Sequence, residues 1–190
     1  MIILKKIKDP VSGLTHLMWA AAAIAGLVFL IIKSAANSLG EIGWDVTSCA
    51  IFGTSLILLY TFSSLYHLLN VGEKASTVLR KLDHIMIYIL IAGSYTPICL
   101  GPLRGGWGFS IFGVVWGLAL LGLFFTVFWL KAPRWLTTGI YLAMGWVVII
   151  AIYPMIVIFQ EKGAFASLCW LLAGRPFLYS RSCYLWIKMA

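Results

Sequence analysis

Five long apolar runs constrain this chain more than any other feature: residues Leu14–Ile32, Val46–Leu69, Leu82–Leu100, Trp107–Leu130 and Trp135–Phe159. Each has about the 20 residues a helix needs to cross a ~30 Å hydrocarbon core. Backbone amides find no water in lipid, so a spanning chain must be helical or a closed barrel. The runs are continuous and lack the dyad alternation of barrel strands, so helices are predicted. Pro97, Gly113, Gly117 and Gly145 fall inside them. Such residues are tolerated in membrane helices, and small ones let neighbouring helices approach closely.

Composition agrees with that reading. The chain is 62% apolar and 11% charged, against about 45–50% and about 25% in soluble domains. Folding in water could not hide so much apolar surface. A soluble enzyme, a secreted disulfide scaffold and a nucleic-acid-binding domain are all excluded. The four cysteines, Cys49, Cys99, Cys169 and Cys183, show no C-x-x-C spacing and read as small apolar residues within helices.

The net charge of +8 sets topology rather than a nucleic-acid surface. The cations sit in short gaps between runs. Lys5, Lys6, Lys8, Lys74, Arg80, Lys81, Lys131 and Arg134 fall on one side, and Lys33, Arg104 and Lys162 on the other. The positive-inside rule then predicts a cytoplasmic N-terminus. Lys5, Lys6 and Lys8 resemble the start of a signal peptide, but the first run is longer than the ~7–15 apolar residues of such a leader. A retained span is predicted.

Ionisable groups near membrane depth are functional candidates. His16 stands near the start of the first helix, His67 near the end of the second, and His84 beside Asp83 at the start of the third. All four therefore fall toward one leaflet. Ser63 and His67 are spaced i and i+4, on one face of the second helix. A hydroxyl there can bond the imidazole or a metal-bound water. Imidazole with a carboxylate suits zinc; equally, Asp83 can pair with Lys81 or Arg80 and favour a helix N-terminus.

Ser63-Ser64-Leu65-Tyr66-His67, Arg80-Lys81-Leu82-Asp83-His84-Ile85 and Tyr88 through Pro97 resemble the hemolysin III family, which belongs with the progestin and adipoQ receptors. Thr15-His16 and Tyr141-Leu142-Ala143-Met144-Gly145-Trp146 match in order, and the resemblance covers residues 10–172. It implies an all-α polytopic bundle with seven helices, five to six of them in this chain. It also implies a bacterial inner-membrane location and a cytoplasmic-side zinc site. His67 matches the family's metal ligand, Ser63 its S-x-x-x-H serine, and Asp83 the acid that holds the zinc-bound water. Related receptors and the alkaline ceramidases imply hydrolysis of lipid amides, with membrane lipids as partners or substrates. The family name implies a pore-forming cytolysin, and a non-enzymatic receptor-like role is the third reading.

The chain departs from that pattern at its C-terminal end. The family's other two ligands form an H-x-x-x-H motif, and no histidine follows His84. The expected organisation is a transmembrane domain over residues 1–173 and an atypical tail over 174–190. Gly174-Arg175-Pro176, which opens the tail, is a poor centre for a spanning helix, and a frameshift near that point or a truncated gene would explain the tail's composition and the missing helix.

Overall fold

A computed structural model of the chain describes residues 7–37, 41–129 and 134–161. The atypical tail lies outside the described residues. Six helices follow one another: α1 (Pro10–Asn37), α2 (Ile42–Leu68), α3 (Glu73–Leu100), α4 (Gly106–Phe128), α5 (Arg134–Ile150) and α6 (Ile152–Glu161). No strand occurs among the described residues. The first four helices are long and apolar enough to cross a membrane, and α5 with α6 has the length and composition of a fifth span. The protein is an all-helical, polytopic membrane bundle.

The last run differs from the single helix its apolarity predicts. It is interrupted at Ala151. Pro154 explains the position: it has no N–H to offer the carbonyl four residues back, and its ring crowds that carbonyl, which belongs to Ile150. The next amide, of Met155, bonds the Ala151 carbonyl at 2.9 Å and α6 proceeds from there. Pro97 does not interrupt α3 in the same way.

The chain divides into two units, residues 1–148 and 149–190. In the second, Met155 and Phe159 are buried at i, i+4 spacing on one face of α6. In the first, α1 packs on α2, α2 on α3 and α3 on α4. The contacts are antiparallel: α1 sets Gly13 against Leu68 and Leu27 against Gly53 of α2. Ser64 Oγ donates to the Gly13 carbonyl at 3.0 Å. Gly93 of α3 lies on Ser55 of α2, and Gly122 of α4 lies on the ring of Tyr88. Lipid tails are as apolar as leucine, so close packing through small residues, not water exclusion, holds these helices together.

Helix α3 is the most enclosed span and α1 the least. Besides α2 and α4, α3 reaches α5, where Tyr95 Oη donates to the carbonyls of Met144 at 2.8 Å and Gly145 at 3.1 Å. Trp116 Nε1 of α4 donates to Thr96 Oγ1 at 3.2 Å. Enclosure accommodates the buried Thr96 and the half-buried Asp83 and Tyr95 of α3, while Glu73, Lys74 and Arg80 stand exposed toward its start. The outward faces present Phe29, Ile32, Leu120 and Phe124, all exposed, as lipid contact requires.

Alternation of direction places the starts of α1 and α3 with the end of α2. The opposite end carries the ion pair between Glu41 and Arg104, with Arg104 also 5.9 Å above the Trp44 ring. Arg104 holds the Glu41 carboxyl below its usual range, and Glu41 in turn raises the guanidinium. The pair ties the start of α2 to the α3–α4 turn.

Candidate functional site

The site begins with the cap on α1. Asp9 precedes Pro10, which suits the first helical position because its missing N–H would be unbonded there anyway. Asp9 Oδ1 accepts from the Ser12 amide at 3.4 Å, the bond of an N-cap. The Asp9 amide donates to the His67 carbonyl at 2.9 Å, which ties the entry of α1 to the end of α2. Asp9 Oδ2 lies 3.4 Å from His67 Nδ1.

About two turns beyond the Asp9 cap, His16 Nδ1 lies 2.7 Å from Ser63 Oγ. Its ring meets His67 edge-on with centroids 5.7 Å apart, and meets Tyr60 at 5.8 Å. Ser63 is buried while both imidazoles are half-buried. Lys8 closes the outer side, its ammonium 3.8 Å from the centroid of Tyr66. The result is a compact polar group of Asp9, His16, Ser63 and His67 at one end of α1 and α2.

Sequence spacing alone places Ser63 beside His67. In the folded chain its hydroxyl instead meets His16, because α1 presents an imidazole at closer range than the next turn of α2. Asp83, expected to face His67, has His84 Nδ1 at 3.8 Å as its ion-pair partner. His84 Nδ1 also bonds the Arg80 carbonyl at 2.8 Å. His67 is served by Asp9, a residue that sequence reasoning passed over. Its signal was an acid and a proline directly before the first apolar run.

Hydrogen bonds from the Ser12 side chain and amide, with the adjacent His67, hold the Asp9 carboxyl below its ordinary range. A carboxyl lowered on folding contributes stability above the ordinary carboxylate range, and loses it as pH falls through the lowered value. Protection of the Ser12 amide against hydrogen exchange is therefore expected to fall on acidification. Asp9→Asn keeps a cap oxygen but cannot titrate, so it should remove the pH dependence; a protection factor independent of pH in the unaltered chain would contradict this account.

A catalytic zinc takes three protein ligands and leaves a position for water. His67 and Asp83 are engaged with different partners. No three His, Cys, Asp or Glu side chains form a metal-holding group among the described residues. All three histidines of the chain are among those residues. The described side chains do not by themselves fit the ion.

The family model described as Haemolysin-III related matches residues 4–188. The chain belongs to the hemolysin III family. It is 41% identical over 184 residues to the Hemolysin-3 homolog of Bacillus subtilis (strain 168), covering 96% of this chain and 83% of that protein. It is 34% identical over 180 residues to Hemolysin-3 of Bacillus cereus, covering 94% and 78% respectively. No solved structure matches it. The family match includes the helices that carry His16, Ser63, His67 and Asp83.

Proposed function

We propose that this hemolysin III family protein resides in the membrane and binds a lipid head group at the α1–α2 polar group, as a receptor-like module and not a complete zinc enzyme. The observation that carries this reading is the 2.7 Å contact of His16 with Ser63 at the edge of the His67 ring. Polar side chains are costly at membrane depth, and these lie at the mouth of two spans. Asp9 engages Nδ1 of His67, which leaves Nε2 for a ligand. With a proton on Nδ1, Nε2 accepts from a hydroxyl or amide when the ring is neutral and donates to a phosphate when it is protonated. Lys8 adds a cation on the same side.

Purified chain in lipid nanodiscs tests this directly. A charge-assisted hydrogen bond is worth about 1.5–3 kcal/mol, so His67→Ala should weaken retention of an anionic phospholipid about 10-fold or more. Unchanged retention would remove the reading. The zinc-dependent lipid amide hydrolase would replace it if the chain carried one zinc, lost in His67→Ala, and cleaved a lipid amide only when zinc was bound. That enzyme needs further donors from outside the described residues.

The name of the Bacillus cereus relative favours a second reading, a cytolysin. Release of haemoglobin from red cells by the purified chain, blocked by osmotic protectants above a defined size, would establish it. The lipid-binding reading expects no size-dependent block.

A further inference from the structure

A groove between α1 and α2 starts one turn beyond the polar group. Its cavity of about 250 Å³ is lined by Trp19, Gly26 and Leu30 of α1 and by Gly53, Leu56 and Tyr60 of α2, among others. Gly26 is exposed, and a Cβ built on it meets nothing within 4 Å. Gly53 takes the side chain of Leu27 instead. The glycines thus do different things: Gly53 lets the helices close, and Gly26 leaves the groove open. Small-molecule pockets are larger, about 300–1,000 Å³, so this one suits a narrow, flexible ligand.

We propose that one acyl chain of a membrane phospholipid lies in this groove, with its head group at His16 and His67. The inference rests on the head-group reading above. Four observations point to this occupant. Both walls are helices with the length and apolarity of membrane spans, so acyl chains are the surrounding solvent. From Trp19 to Leu30 the groove runs roughly 16 Å at 1.5 Å per residue, about half of a ~30 Å hydrocarbon core. Its aromatic end is continuous with the polar group, since Tyr60 stacks on Trp19 at 6.4 Å and also meets His16. Lys8, beside Tyr66, supplies the charge complementary to a phosphate.

The test places the full chain in phosphatidylethanolamine–phosphatidylglycerol vesicles doped with phosphatidylglycerol that carries a diazirine on one acyl chain. After photolysis, mass spectrometry should find labels concentrated on residues 19–30 and 52–60. Gly26→Leu, whose Cβ has open space and whose side chain would occupy the groove, should lower that labelling severalfold. Labelling of Leu120 and Leu121 on the outer face of α4 should stay unchanged and reports that the variant is folded; Ala22→Leu provides a second groove-filling variant. Equal labelling of groove and α4 face, unmoved by either variant, would overturn the proposal. So would chain-to-chain cross-links through the groove, which would make a second copy the occupant. Groove labelling that survives His67→Ala supports the acyl site and removes the head-group reading alone.

Discussion

Gly108→Ala is expected to destabilise the bundle by about 3 kcal/mol, the upper part of the range for overpacking a close-packed interior. Gly108 lies in the first turn of α4, where a methyl group would run into the backbone carbonyls of Cys99 and Leu103. Neither obstacle is the free end of a side chain, so relief requires the α3–α4 turn to move. That turn has little freedom. Leu103 is buried, its amide bonds the Ile98 carbonyl at 3.0 Å, and Gly105 holds φ at 142°, a region side chains rarely adopt. Gly113→Ala is the control. It lies exposed on the same helix, its Cβ meets nothing within 4 Å, and it should gain up to about 1 kcal/mol of helix propensity. Unfolding in bicelles, followed by steric trapping, separates the two; equal stabilities would show that the α3–α4 approach is looser than described.

Tyr88 carries the second large effect, and its two truncations should differ in size by an order of magnitude. The side chain is fully buried, with its ring against Gly122 and 4.4 Å from that of Tyr141. Removing a buried aromatic ring typically costs about 3–5 kcal/mol. In lipid the transfer contribution is smaller and the lost packing remains, so Tyr88→Ala should cost about 3 kcal/mol. The hydroxyl behaves differently. It is buried near the hydroxyls of Tyr141 and Thr126 without well-formed hydrogen-bond geometry to either, and a poorly satisfied polar group adds little stability. Tyr88→Phe should therefore be neutral or slightly stabilising. A loss of more than about 1 kcal/mol in Tyr88→Phe would show that the hydroxyl is fully bonded, to Tyr141, to Thr126 or to a group outside the described residues.

The sequence and the folded chain agree where lipid imposes the rule. Span positions follow from the length of apolar runs, because backbone groups in hydrocarbon can be satisfied only within a helix and bilayer thickness sets its length. Family membership was equally legible, since the helix 2 and helix 3 motifs are linear. The break at Ala151 was encoded by Pro154, yet the apolar pattern concealed it: hydropathy reports on side chains, and this break concerns one missing backbone donor.

The polar group was legible only in part. His16, Ser63 and His67 stand out because polar residues are scarce in apolar runs, but their pairing does not follow from spacing. Helical periodicity relates Ser63 to His67 on one helix; the contact with His16 depends on how α1 is rotated against α2. That rotation is set where Gly13 meets Leu68 and Ser64 bonds the Gly13 carbonyl. No apolar stripe marks it beforehand, because lipid-facing and helix-facing sides are both apolar. Asp9 was hidden for the same reason, since its role as partner of His67 exists only once the entry of α1 meets the end of α2. That this chain spans the membrane, and where, follows from its apolar runs; which polar side chains meet follows from the packing of small residues, because close contact alone orients helices in a solvent as apolar as they are.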